Sequence, residues 1–292
     1  MSDKKENAVK PEKKSKNGAK KQMSLVWKLI MLVAVVVLAV SLWQLSSILL
    51  EYHEGEADYE EILSHMDEVE MTAPVPETEE DEGGENENQA AETAGAEGET
   101  DTTQPAKFSL TVPDFAYLQS VNSDVVGWIQ IPGTNINYPI VQGSDNEYYL
   151  THTYSGTENS GGAIFLDAAI EDGLDDKNPI IHGHNLKSGT MFSRLNRYSR
   201  RDFWDANRYI YITTPEGLRV YQVFSAYEAQ LDADIYYFGF GSDDNFQAYI
   251  DRVMSYSIYD AGITVTKDDS IVTLSTCAND TTLRFVVHAK RI

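Results

Sequence analysis

The chain has 292 residues, of which 46 are Asp or Glu and 23 are Lys or Arg, so its formal net charge at pH 7 is −23. Such an excess of negative charge disfavours binding to nucleic acid or to an anionic membrane surface. The single cysteine excludes a disulfide within the chain, so the stability of the fold must come from a packed core.

The first 50 residues predict a membrane anchor. Residues 1–28 form a basic tail with nine lysines, and residues 29–50 are almost wholly apolar. An apolar segment of that length suits a helix that crosses a bilayer once. The lysines place the tail in the cytoplasm by the positive-inside rule, so the rest of the chain is predicted to be extracellular. No small-residue cleavage site follows the apolar segment, which favours an uncleaved anchor over a signal peptide.

Two segments of different composition follow the predicted anchor. Residues 51–71 carry apolar residues at helical spacing among charged ones, which predicts a juxtamembrane helix. Residues 72–106 contain eleven acidic residues and no aromatic residue, which predicts a disordered, self-repelling linker. We expect this linker to give the following domain reach from the membrane. A cation-binding role is the alternative, but runs of like charge are usually solvated.

Residues 107–292 are predicted to form one folded domain that is mainly β. Many short strands separated by turn residues favour a β-barrel or a β-sandwich. The predicted strands are 125–131, 138–142, 162–166, 179–182, 209–213, 218–226, 271–276 and 283–289. A helix is predicted at 243–259 with Ser242 as its N-cap, and a shorter one at 113–121.

Cys277 is the first candidate for chemistry, because it ends a predicted strand and precedes a polar loop. A free cysteine on a strand is usually a small buried hydrophobic residue. A reactive thiolate instead needs a nearby base or positive charge. Strand alternation places Ser275 on the same face as Cys277, at the end of the strand where barrels expose functional groups.

Arg284 and two histidines are the candidate partners of Cys277. Arg284 lies opposite Cys277 if the last two predicted strands pair, and its guanidinium suits a carbonyl oxygen or an oxyanion; the alternative is an exposed surface arginine. His182 and His184 end another predicted strand and share a face, so periodicity alone does not choose between them. No further cluster of His or Cys completes a tetrahedral zinc site.

The residues around these candidates match a known family. Thr273-Leu-Ser-Thr-Cys277, followed by Arg284-Phe-Val-Val, and Gly183-His184-Asn185 resemble the motifs of sortases, cysteine transpeptidases anchored outside the membrane of Gram-positive bacteria. Further stretches at 125–142, 145–150 and 162–167 resemble class B sortases, so the resemblance covers nearly all of residues 108–292. The acidic linker departs from the compact class B pattern.

The resemblance implies an eight-stranded β-barrel with N-terminal helices and a long helix inserted before the cysteine strand. It implies Cys277 as nucleophile, His184 as the proton-transfer residue and Arg284 as the carbonyl clamp, with Ser275 and Thr276 in substrate binding. The implied partners are secreted proteins with a C-terminal sorting signal and an amine of a peptidoglycan precursor. The implied reaction passes through a thioacyl enzyme and needs no metal or organic cofactor.

Three other functions were considered for the chain, of which the first is disfavoured and the other two remain open. L,D-transpeptidases also use Cys and His, but they place Ser-x-Gly-Cys at the nucleophile, whereas Thr276 precedes Cys277 here. An extracytoplasmic cysteine peptidase differs only in that water replaces the amine. A non-catalytic surface-binding module with an inert thiol belongs to a different class.

Overall fold

The computed structural model describes residues 25–74, 107–230, 235–277 and 283–292, without the side chains of residues 47–56 and of Cys277. Most of the predicted basic tail and of the acidic linker, and the loop after Cys277, lie outside the described residues. The chain divides into two compact units, of which the second runs from Leu50 to Ile292.

The second unit contains every strand, together with three helices that follow the long N-terminal one among the described residues. The helices are α1 (Leu25–Leu63), α2 (Phe115–Val121), α3 (Arg201–Ala206) and α4 (Asp243–Ser255). The strands are β1 (Asp67–Thr72), β2 (Lys107–Val112), β3 (Val125–Gln130), β4 (Asn137–Val141), β5 (Ile164–Leu166), β6 (Ile180–His184), β7 (Tyr209–Thr214), β8 (Gly217–Gln230), β9 (Ile271–Cys277) and β10 (Leu283–Arg291).

Helix α1 contains one segment, Leu25–Ser46, that is long and apolar enough to cross a membrane. This segment overlaps the predicted anchor at 29–50. The helix ends at Leu63, whereas the sequence pattern predicted helix to residue 71. The helix ends early because Asp67–Thr72 pairs as a strand with β2, and that tertiary pairing overrides local helix propensity.

The β1–β2 pairing also brings the two ends of the acidic segment together. Thr72 pairs with Lys107 at the end of this antiparallel ladder, so the two ends of the acidic segment lie side by side. A segment whose ends are paired adds no distance between the parts of the chain on either side of it. The pairing therefore argues against the predicted role of residues 72–106 as a spacer.

Eight strands close into the predicted β-barrel, in the order β10-β8-β7-β3-β4-β5-β6-β9. Most neighbours are antiparallel, but β4 pairs with β5 and β6 pairs with β9 in parallel. The parallel pairing of β6 with β9 matters for function, because it brings the carboxyl ends of two distant strands to the same edge of the barrel.

Helix α4 covers the outer face of the barrel beside β9 and β10. Its apolar face includes Phe246, Tyr249 and Val253, which cluster with residues of β8, β9 and β10. Ser242 caps the helix, as predicted, by accepting a hydrogen bond from the backbone N–H of Asn245. The predicted helix is therefore confirmed, although it ends at Ser255 and not at residue 259.

A closed hydrogen-bond network lies between α4 and the barrel. Thr273 donates its only hydroxyl proton to the side-chain oxygen of Asn178 (2.7 Å), so it accepts from Nδ1–H of His288 (2.9 Å). Nε2 of His288 then accepts from the hydroxyl of Tyr227 at 3.0 Å. The Asn178 amide donates to the backbone carbonyl of Tyr237, which ties the segment after residue 234 to the barrel.

The burial of His288 predicts a loss of stability in acid. Burial lowers the pKa of His288 from 6.5 to about 3, so the folded protein keeps this ring neutral while the unfolded chain takes up a proton. The free energy of unfolding should therefore be highest above pH 6.5 and fall towards pH 3, by about 4 kcal/mol from this group. Chemical denaturation across that pH range measures the change. A His288→Gln variant should lose less stability over the same range, and an equal loss would assign the effect to other groups.

Candidate active site

The carboxyl ends of β6 and β9 meet at one edge of the barrel. Their parallel ladder runs from the pair Ile180 and Thr273 to the pair His184 and Cys277, so the two predicted catalytic residues are direct neighbours in register. This placement is inferred from the backbone register, because the Cys277 side chain is outside the described part of the structure.

Arg284 approaches the same edge from the third strand. The antiparallel ladder of β9 and β10 includes the pair Ser275 and Val286. Extending that register by two residues on each strand places Arg284 opposite Cys277. Arg284 is also paired with Ala229 of β8 and is partly buried. The predicted strand pairing is therefore confirmed, and the backbones of the three candidate residues converge.

His184 is held in one orientation by the chain that precedes β5. Its Nε2–H donates to the backbone carbonyl of Leu150 at 2.7 Å, and only 8% of the residue is exposed. Nδ1 is buried and has no hydrogen-bond partner among the described residues. Because Nε2 carries the proton in the neutral ring, Nδ1 is the nitrogen available to accept and return a proton.

The glycine before His184 lets β6 pack closely on the barrel interior. A Cβ at Gly183 would lie 2.4 Å from Cδ1 of Ile164 and 2.8 Å from the ring of Phe192. Strand alternation then directs His182 and His184 to the opposite, outer face. This packing explains why a glycine separates the two histidines.

His182 has a different environment from His184. Its Nε2 lies 3.2 Å from Oδ2 of Asp167, and its ring lies beside those of Phe165 and Tyr236. Burial alone raises the pKa of Asp167, but hydrogen bonds from His182 and from the backbone of Ala169 lower it to about 2. Both rings therefore engage their Nε2, His182 with a carboxylate and His184 with a backbone carbonyl.

Ser275 and Thr276 were predicted to bind substrate, and the structure shows what their hydroxyl groups contact. Ser275 is fully buried, with its Oγ 2.6 Å from the hydroxyl of Tyr236. The Thr276 hydroxyl accepts from the backbone N–H of Phe285 at 2.9 Å, so it joins β9 to β10 just beside Arg284. These contacts give both residues a structural role, and their role in substrate binding stays a prediction.

Three residues at the site were not singled out from the sequence. Leu150 contributes only a backbone carbonyl, which no side-chain pattern reveals. Asp167 and Tyr236 contact His182 and Ser275 from segments distant in sequence. Leu150 and Asp167 each end a stretch that matched the family, and this was the one signal that pointed towards them.

The described residues contain no group of three or more His, Cys, Asp or Glu side chains arranged to hold a metal ion. The edge of the barrel holds an imidazole whose Nδ1 has no hydrogen-bond partner among the described residues, a cysteine beside it in register and an arginine on the next strand. This set of groups suits nucleophilic acyl transfer, in which the imidazole moves the protons.

Comparisons with known proteins point to one family. A sequence model of the sortase domain matches residues 129–292. The chain is 40% identical to sortase B of Listeria monocytogenes over 164 residues, which cover 55% of this chain and 65% of that relative, just under two thirds of its length. It is 35% identical to sortase B of Staphylococcus aureus over 183 residues, which cover 62% of this chain and 75% of that relative.

The fold agrees with solved structures of the same family. A structure described as a Staphylococcus aureus sortase B-substrate complex superimposes with a TM-score of 0.59 at 35% sequence identity. The superposition covers 61% of this chain and 84% of that one.

Proposed function

The chain belongs to the sortase family, and from that membership we propose that it is a class B cysteine transpeptidase anchored in the cell membrane. Its substrates are secreted proteins with a C-terminal sorting signal, which it transfers to an amine of a peptidoglycan precursor. The apolar segment Leu25–Ser46 supports the anchor by its length and composition. The lysines before it support a cytoplasmic N-terminus and an extracellular catalytic domain.

The proposed reaction begins with attack by the Cys277 thiolate on a backbone carbonyl carbon of the sorting signal. Arg284 donates hydrogen bonds to the carbonyl oxygen as it gains negative charge. The carbon–nitrogen bond then breaks, and protonated His184 gives its Nδ1 proton to the leaving amine. The products of this half-reaction are a thioacyl enzyme and the released C-terminal peptide.

The second half-reaction resolves the thioacyl enzyme. An incoming amine attacks the thioester carbonyl and loses a proton to Nδ1 of His184, and the carbon–sulfur bond breaks to return the thiolate. His184 regains the proton that it gave away, so the cycle balances. The observation that carries this proposal is the register pair of His184 and Cys277, together with the unpartnered Nδ1.

The proposal has a direct test with the full-length chain in detergent. Peptides of the Leu-Pro-x-Thr-Gly and Asn-Pro-x-Thr-Asn types are incubated with the chain, with and without a short glycine peptide as the amine. We expect a protein mass increase equal to the acyl part of one peptide, and an amide product only when the amine is present. Release of free acid at the same rate with and without amine would instead indicate a cysteine peptidase. Absence of any adduct or product with a broader peptide set would favour the non-catalytic surface module.

A further inference from the structure

The last turns of α1 pack against the 149–162 loop, the segment that supports the catalytic histidine. Ile62 is 1% exposed and Tyr59 is 7% exposed, so this end of the helix is part of the domain core. The Tyr59 ring packs against the rings of Tyr138 and Tyr154, with centroids 5.1 and 5.6 Å away. The juxtamembrane helix predicted from the sequence is therefore built into the domain.

Two adjacent helix residues make polar contacts with the loop. Oδ2 of Asp58 accepts hydrogen bonds from the hydroxyl groups of Thr153 (3.3 Å) and Ser155 (3.2 Å). The hydroxyl of Tyr59 donates to the backbone carbonyl of Gly162 at 3.3 Å. Burial raises the pKa of Tyr59 far above its ordinary value, so this phenol stays protonated as a donor.

The far side of the loop contacts His184 directly. Gly162 has a positive φ of 60°, and a Cβ there would lie 2.8 Å from the Leu150 carbonyl oxygen and 3.0 Å from Cδ2 of His184. The loop is closed on itself, because Ala163 N–H donates to the carbonyl of Tyr149 at 2.9 Å. Gly162 and the Leu150 carbonyl, which accepts Nε2–H of His184, are therefore close neighbours in the loop, and we infer that a shift of one displaces the other.

We propose that Asp58 and Tyr59 are positioning residues for His184, which act by holding the 149–162 loop and with it the Leu150 carbonyl. This role rests on the proposed function of His184 in proton transfer. The carbonyl keeps the neutral ring protonated on Nε2 and leaves Nδ1 without a hydrogen-bond partner among the described residues. When the loop is released, the ring loses this tautomer preference and its alignment, and small misplacements of a catalytic group cost rate steeply.

The test uses the full-length chain in detergent and the double variant Asp58→Ala, Tyr59→Phe. Tyr59→Phe keeps the packed ring and removes only the hydroxyl, so the fold is preserved while the polar contacts are lost. We expect kcat for amide exchange to fall roughly tenfold, with KM for the sorting peptide unchanged within about twofold. Selective ¹⁵N-histidine labelling, with the His184 signals assigned by a His184→Ala variant, should show loss of the Nε2–H tautomer preference.

Two matched variants separate positioning from general damage. Glu60→Ala removes a carboxylate from the exposed neighbour on the same turn, and we expect wild-type rate and tautomer. The single variant Asp58→Asn, which leaves Tyr59 in place, keeps an acceptor oxygen for Thr153 and Ser155. We expect it to retain most of the wild-type rate.

Two outcomes overturn the proposal: an unchanged His184 tautomer in the double variant, or a fall in rate that Glu60→Ala shows equally. If the wild-type chain itself transfers no peptide, the failure lies in the proposed function, and the tautomer measurement still decides whether Asp58 and Tyr59 position His184.

Discussion

Replacing Cys277 by alanine is expected to abolish both the thioacyl adduct and the amide product. The proposed reaction proceeds through a covalent bond to sulfur, and the chain has no other cysteine that can form that bond. The loss should be about 10⁶-fold in kcat, the scale seen when a catalytic nucleophile is removed, which puts both products below detection. Intact-protein mass spectrometry reads the adduct, and chromatography of the peptides reads the product.

The structure supplies the control for this variant. Cys277 ends β9, and alanine at a strand end keeps the backbone pairing with His184, so the fold should be unchanged by circular dichroism and thermal unfolding. Retention of amide exchange in a correctly folded Cys277→Ala chain would refute covalent catalysis at this position.

Replacing His184 by alanine is expected to lower kcat/KM by about 10³-fold, because the leaving amine then has no proton donor and the incoming amine has no base. His182→Ala is the matched comparison, since it removes an imidazole two residues away on the same strand and face. Its effect should be far smaller, because His182 pairs in register with Ser275, two residues before Cys277, whereas His184 pairs with Cys277 itself. Steady-state rates for the two variants with the same peptide and amine make the comparison.

A reversed result would reassign the histidines. Full activity in the His184 variant together with loss in the His182 variant would make the pair of His182 and Asp167 the proton-transfer group. A moderate loss in His182→Ala with unchanged kcat and raised KM would keep the assignment and add His182 to the substrate groove.

Much of the barrel was predictable because its strands carry local signals. The predicted strands at 125–131 and 138–142 correspond to β3 and β4, and the predicted helix at 243–259 corresponds to α4 with its Ser242 cap. β-branched and aromatic runs between turn residues mark strands regardless of what they pair with. The family motifs then supplied the barrel topology, which periodicity alone left open between barrel and sandwich.

The antiparallel pair of β1 and β2 was not predicted, because the two strands are far apart in sequence. The segment Asp67–Thr72 is mostly polar and follows a helical pattern, and its partner Lys107–Val112 lies beyond the acidic segment. Residues 67–72 have no strong local strand propensity, and they form a strand because they pair with β2. For the same reason, the acidic segment was interpreted as a spacer although its ends are neighbours.

The chemistry of the site divides in the same way. The sequence by itself contains the residue types that the proposed reaction needs, one thiol, an imidazole and a guanidinium near strand ends, together with a second imidazole as a rival candidate. It also contains the apolar N-terminal segment and the negative charge. The hydrogen-bond partner of each imidazole was decided by tertiary contacts, since the Leu150 carbonyl accepts from His184 and Asp167 pairs with His182. The alternation of residues along a strand predicts only the face on which a side chain lies. The hydrogen-bond partners of that side chain come from other segments, which only folding brings close.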